Sequence, residues 1–172
     1  YEVLSSSQRF FGIISDNFSR GYAFEFLRLG RFVERADMIT RIIDSICNAE
    51  KKEGTIDLST LEWVNLLKTL SAHQAFRKVS RGEIEKESVI NFLFKDDSFP
   101  RSIYRCLTII HKSFLNLPKN KDALLFIQKF LANLSRSRIG KYENTKIHSF
   151  VDSTQKKISS IDQIIQKSYF NN

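Results

Sequence analysis

The chain has 172 residues, fifteen of them Phe, eight of them Gly or Pro, and a net charge of +8. That length fits one ordinary domain, able to bury a core without staples. Few breakers, with Leu, Ile and Phe at helical spacing, point to an all-α fold, and two cysteines are too few for a disulfide framework.

Taken in chain order, residues 2–18 read as a first helix with a ragged apolar face of Val3, Leu4, Phe10, Phe11, Ile14 and Phe18. Ser19-Arg20-Gly21 interrupts it. The longest run with one clear period follows, residues 22–47, in which Phe26, Leu29, Phe32, Val33, Ala36, Ile39, Ile43 and Ile46 share one helical face. Opposite them run Arg31, Glu34, Asp37, Arg41 and Asp44. This stripe is either a solvated face, with Asp37–Arg41 and Arg31–Glu34 as local pairs, or a polar seam covered by a neighbouring helix. Arg28 and Arg35 sit on the shoulder of the apolar face, where an arginine must snorkel to water or find a carboxylate. A buried, paired Arg35 would cost ~3 kcal/mol or more to remove. Gly30 inside this helix suggests the close approach of another helix.

Residues 51–57 read as a loop. Ser59-Thr60-Leu61-Glu62 is a capping-box pattern opening a helix that carries Trp63, Leu66, Leu67, Leu70, Ala75 and Phe76 and stops near Gly82. A short helix over 86–94 is apolar almost throughout, which implies burial on most sides. Asp96 to Ser102 is the sharpest turn, with Pro100 placed to begin the next helix through Ile103, Leu107 and Ile110. Pro118 is expected to start another, 135–145 to form a basic loop, and 147–169 to form the last helix. The expectation is a single domain over 1–172, a bundle of about seven helices, two of them short, with no strand.

The charge is uneven. Residues 1–60 hold eight Lys/Arg against nine Asp/Glu, residues 61–100 six against six, and residues 101–172 thirteen against four, a net of +9 for the last third. That excess suits either a solvated lysine-rich face or a nucleic-acid-binding module, and no aromatic-basic recognition motif accompanies it. Cys47 and Cys106 fall on apolar helical positions and read as core residues of a reducing compartment. No stretch reads as a signal peptide and no apolar run is long enough to span a bilayer, so a cytoplasmic protein is expected. The first residue is not Met, so a piece of a longer chain is expected.

His73, His111 and His148 stand in three different helices, without a second ligand at metal spacing, and no metal or other cofactor is expected. There is no glycine-rich phosphate loop. Ser102 reads as a helix cap rather than a nucleophile. What remains is a candidate polar centre of arginine and carboxylate: Arg28, Arg31, Glu34, Arg35 and Asp37 on the central helix, with Asp97 and Arg101 at the turn. Such a centre either braces the turn against the helix through bidentate pairs or, left partly unpaired, binds an anion or a peptide carboxylate.

The segments FLRLGRFVERAD (26–37), TRIID (40–44), WVNLLKTLSAHQAFR (63–77) and VINFLFKDDSFPRSIYRCL (89–107) resemble, in order and spacing, the bacterial alpha-E family. The likeness is strong over about 20–107 and weaker elsewhere. It implies an all-helical protein without an assigned activity, of which this chain would be the C-terminal half, with a similar GR…ER segment in the missing half. The family's characteristic positions fall on Arg31, Glu34, Arg35, Asp37, Asp97, Phe99, Pro100, Arg101 and Ser102. The resemblance also implies association with an ATP-grasp-type ligase and a transglutaminase-like protease. A non-catalytic helical partner or scaffold for such a system is therefore expected, touching the other half of its own chain and the ligase, with a homodimer also open. The alternatives are an enzyme of peptide or amide metabolism using Glu34 with Asp37 or Asp97, and the basic nucleic-acid module.

Overall fold

Apolar residues spaced three and four apart do form helices. The computed structural model describes residues 2–53 and 60–170, the side chains of Leu4 and of residues 47–53 excepted. Among these residues stand eight α-helices and no strand: α1 (Glu2–Asn17), α2 (Tyr22–Glu53), α3 (Thr60–Thr69), α4 (His73–Val79), α5 (Lys86–Lys95), α6 (Ile103–Leu115), α7 (Lys121–Arg136) and α8 (Asn144–Ile165). A 3-10 turn, Ile139–Lys141, links α7 to α8, and a π-turn, Gln166–Phe170, follows α8. No helix among them is long and apolar enough to cross a membrane.

The central helix α2 packs against α6 and α8, and α6 also packs against α7. Leu29, Ala36, Ile39 and Ile43 of α2 meet Ile103, Leu107, Ile110 and Phe114 of α6 and Val151, Ile158 and Ile161 of α8 in one buried core. Helix α5 is buried on most sides, as its apolar run implies, with Phe92 stacked on Phe99 at 4.9 Å and edge-on to Phe76 at 5.3 Å. Cys106 is a buried core thiol, and burial pushes it up to about 12, so it stays protonated and inert. The side chain of Cys47 lies outside the described residues. The π-turn folds back on α2: Tyr169 meets the ring of Phe26 edge-on at 5.1 Å and its hydroxyl donates to the Pro118 carbonyl at 2.7 Å.

Several helix ends differ from the sequence reading, each for a local reason. The helix expected from 60 to about 82 is two, because Ser71 adopts a left-handed φ of 53° and closes α3 in the manner of a terminal glycine. The capping residue Ser59 falls outside the described residues, as do 54–57 of the expected loop, whereas 51–53 continue α2. Pro100 does not begin a helix. Ser102 caps α6 instead, its Oγ accepting from the Arg105 N–H at 3.0 Å. Pro118 lies in the turn before α7, which starts after Asn120. Residues 135–145 are shorter as a loop than expected, because α7 runs to Arg136. The end of α7 is held by Lys95, whose ammonium donates to the Ser135 carbonyl at 3.1 Å and to that of Ser137.

Two glycines have opposite uses. A Cβ on Gly30 would meet nothing within 4 Å, so no helix approaches there, contrary to the sequence expectation. Gly30→Ala should therefore raise stability by about 0.5–1 kcal/mol through helix propensity, read from a higher urea midpoint. Gly140, in the 3-10 turn against α5, has no such room: a Cβ would strike the Asn91 side-chain amide and stand 2.7 Å from the Glu87 carbonyl. Gly140→Ala should lower stability by about 2 kcal/mol in the same melt.

Helix α1 is the least embedded. Phe11 and Ile14 are partly buried toward α2, while Val3, Phe10 and Ile13 are 84%, 56% and 54% exposed.

Candidate functional site

The break at Ser71 and the turn at 96–102 together shape the surface beside α2. Asp96 organises the turn: its Oδ1 accepts from the backbone N–H of Ser98 at 2.9 Å and of Phe99 at 2.7 Å, and from the Ser98 hydroxyl. Phe99 is drawn into the core, 5% exposed, and leaves the Pro100 carbonyl facing α2. Arg35 donates to that carbonyl from Nη1 at 3.2 Å. Because α3 ends at the Ser71 kink, the Leu70 carbonyl is free of the helix ladder and accepts from Arg101 Nη1 at 2.9 Å.

These contacts frame a cleft of about 660 Å³ between α1, α2 and the Leu70 and Arg101 loops. Arg31, Glu34, Arg35 and Arg101 line it. Phe11, Met38, Ile42 and Leu70 form its apolar wall. The guanidinium of Arg31 lies over the Phe11 ring at 4.0 Å, and that of Arg35 over the Phe32 ring at 4.9 Å. Among the described residues, Arg31, Arg35 and Arg101 have no ion pair. Arg35 is held below the usual arginine range, first by burial and then by the neighbouring positive charges of Arg31 and Arg101.

The candidate residues thus divide. Arg31, Glu34, Arg35 and Arg101 come together in the cleft. Asp37 does not join them: it accepts from Arg41 Nε at 2.6 Å as a local i,i+4 pair. Asp97 is exposed and off the cleft, and the neighbouring Asp96 holds the turn instead. Arg28 points elsewhere, donating from Nε to Ser113 Oγ at 2.8 Å and standing 3.5 Å from Glu25 Oε2. The expected Arg31–Glu34 pair does not form, since Arg31 turns to Phe11 and Glu34 is exposed.

Two polar groups were missed by sequence reasoning. Glu25 is 6% exposed inside the α2–α6 interface, its Oε1 accepting from Asn116 Nδ2 at 2.8 Å. The i,i+3 spacing of Glu25 and Arg28 was the available signal. His148 of α8 stands with Nδ1 2.6 Å from Asp44 Oδ1 and Nε2 3.8 Å from Asp152 Oδ2, three partly buried residues whose ligand atoms could hold one cation. The reading of no carboxylate at metal spacing overlooked Asp152, four residues on from His148. Asp44 joins only through tertiary packing. So the polar stripe of α2 is neither wholly solvated nor wholly covered: α8 covers it at Asp44, Phe11 of α1 covers Arg31, and Glu34 and Arg41 are exposed. The basic side chains of the last third are mostly exposed, and Arg101 alone among them lines the cleft.

No curated protein and no solved structure matches the chain significantly. A family model does, over residues 1–170, described as "a predicted alpha-helical domain with a conserved ER motif". The single Glu-Arg dipeptide of this chain is Glu34-Arg35, both in the cleft. With its helical fold and a match over essentially its whole length, the chain belongs to the Alpha-E family.

Proposed function

We propose that the protein is a non-catalytic helical binding component of a peptide-ligase and protease system, and that it holds a peptide carboxylate in the arginine cleft. One observation supports this reading over the others: three guanidiniums line one cleft, and none has a carboxylate partner among the described residues. A guanidinium carries five N–H donors in a fork that matches a carboxylate. Among the described residues, Arg35 and Arg101 each donate one hydrogen bond, both to backbone carbonyls. Their remaining donors are available, and an anion between them would offset the repulsion from Arg31 and Arg101, which adds to burial in holding Arg35 below the usual arginine range.

Guanidiniums keep their protons at any working pH, so the cleft favours binding over proton transfer. The enzyme alternative must rest its acid–base chemistry on Glu34 alone, since Asp37 and Asp97 lie off the cleft. The nucleic-acid alternative draws instead on the basic excess of residues 101–172, of which only Arg101 lines the cleft.

Calorimetric titration with N-acetyl-leucyl-leucine and its C-terminal amide tests the carboxylate reading. The acid should bind and the amide should not. Equal binding of the two, or binding of neither, would overturn it. Co-expression with the ATP-grasp-type ligase tests the partner: the two should co-purify, and separate elution would remove the ligase from the reading.

A further inference from the structure

The cleft holds one group that a simple anion site would not carry. Glu34 lines it beside three cations, yet makes no ion pair with any of them or with another described residue. Its natural i−3 partner, Arg31, is taken up by the Phe11 ring at 4.0 Å. One turn further along the same helix, Asp37 does pair with its own i+4 arginine at 2.6 Å. The charges of α2 are therefore able to pair locally, and at Glu34 they do not. The cleft presents both signs side by side, positive from Arg31, Arg35 and Arg101 and negative from Glu34.

We infer that the cleft recognises an unblocked short peptide by both of its charged ends, the arginines taking the α-carboxylate and Glu34 taking the α-ammonium. The inference rests on the carboxylate reading of the same cleft and adds the second charge. An inorganic phosphate would satisfy the arginines but would face the Glu34 carboxylate, a like-charge contact that lowers affinity. A zwitterion meets a partner at each end. The wall of Phe11, Met38, Ile42 and Leu70 gives an apolar side chain a place to lie, and Met38, 51% exposed, is an adaptable surface for it. The volume of about 660 Å³ lies within the range of roughly 300–1,000 Å³ usual for drug-sized ligands, which suits a di- or tripeptide.

The test titrates four probes, leucyl-leucine, N-acetyl-leucyl-leucine, leucyl-leucine amide and inorganic phosphate, into the wild-type protein and into Glu34→Gln. Glu34 is exposed and Gln is a good helix former, so the variant should fold, and an unchanged circular-dichroism melt checks this. Leucyl-leucine should bind the wild type about tenfold more tightly than its acetylated form, the scale of one exposed-to-half-buried charge contact. In Glu34→Gln that difference should shrink to within about twofold, the acetylated peptide losing nothing. If the acetylated peptide binds the wild type as tightly as leucyl-leucine, the ammonium site is overturned and the carboxylate reading stands. If phosphate binds more tightly than either peptide, the cleft is a plain anion site and the inference fails. If neither free-acid peptide binds, the inference and the carboxylate reading fail together.

Discussion

Arg28→Ala should lower stability by about 3 kcal/mol, more than any other single change to a charged residue of α2. The reason is Glu25. Its carboxylate is 6% exposed in the α2–α6 interface, and only one oxygen is hydrogen-bonded, to Asn116 Nδ2 at 2.8 Å. The other oxygen, Oε2, has no hydrogen bond and depends on the Arg28 guanidinium 3.5 Å away. Removing that cation leaves a buried charge uncompensated, which typically costs about 3–5 kcal/mol. The Arg28 side chain is 27% exposed, so its charge is partly screened by solvent and the low end of that range applies. The same change removes the hydrogen bond to Ser113 Oγ, a fully buried hydroxyl on α6. Urea melts of Arg28→Ala and of the double variant Arg28→Met/Glu25→Leu check the argument. The double variant should recover most of the loss, because replacing both partners by apolar groups leaves no stranded charge. A loss below about 0.5 kcal/mol in the single variant would show that the carboxylate is not stranded.

The positions of the helices were legible because each carries enough apolar residues at a 3.6-residue period to bury a face. Val89 to Phe94, apolar almost throughout, could only be an enclosed helix, and it is one. What the period does not encode is where a helix stops when no glycine or proline marks the spot. Ser71 ends α3 in a conformation glycine usually supplies, and its neighbours Leu70 and Ala72 are apolar enough to extend the pattern across the break. Pro118 misled for the opposite reason: a proline suits a first helical position, but here its carbonyl serves Tyr169 and the helix waits for Asn120. At the turn, Asp96 and Asp97 are indistinguishable by composition, and only the backbone path decides that Asp96 accepts the Ser98 and Phe99 N–H groups. The cleft was half legible. That Arg31, Glu34, Arg35 and Arg101 belong together follows from crowding of charge on two rigid elements. That they are not paired to each other does not follow, since it depends on Phe11 of α1 and on two carbonyls freed by turns.

Arg35→Ala is expected to weaken binding of N-acetyl-leucyl-leucine roughly 30- to 100-fold, about 2–2.7 kcal/mol, while changing stability by less than about 1 kcal/mol. A brace and a binding site differ on this point. Were Arg35 buried against a carboxylate, its removal would strand that charge, as at Arg28. Here its hydrogen-bond partner is the Pro100 carbonyl at 3.2 Å, and its ring partner is Phe32 at 4.9 Å. Losing the hydrogen bond costs about 1 kcal/mol and the ring contact about 0.5–1. Against these stands the removal of one cation from the field of Arg31 and Arg101, the same field that, after burial, holds Arg35 below its usual range. The opposing contributions nearly cancel in the free protein. In the complex they do not, because the carboxylate loses a forked donor in a partly desolvated place. Arg35→Lys separates charge from fork: an ammonium keeps the positive charge but offers no planar pair of donors, so affinity should return only in part. Calorimetry on both variants, beside their urea melts, measures the two quantities in the same samples. A stability loss of ~3 kcal/mol or more in Arg35→Ala, with binding intact in a buffer where the variant is still folded, would make Arg35 a brace and take the arginine cleft out of the functional account.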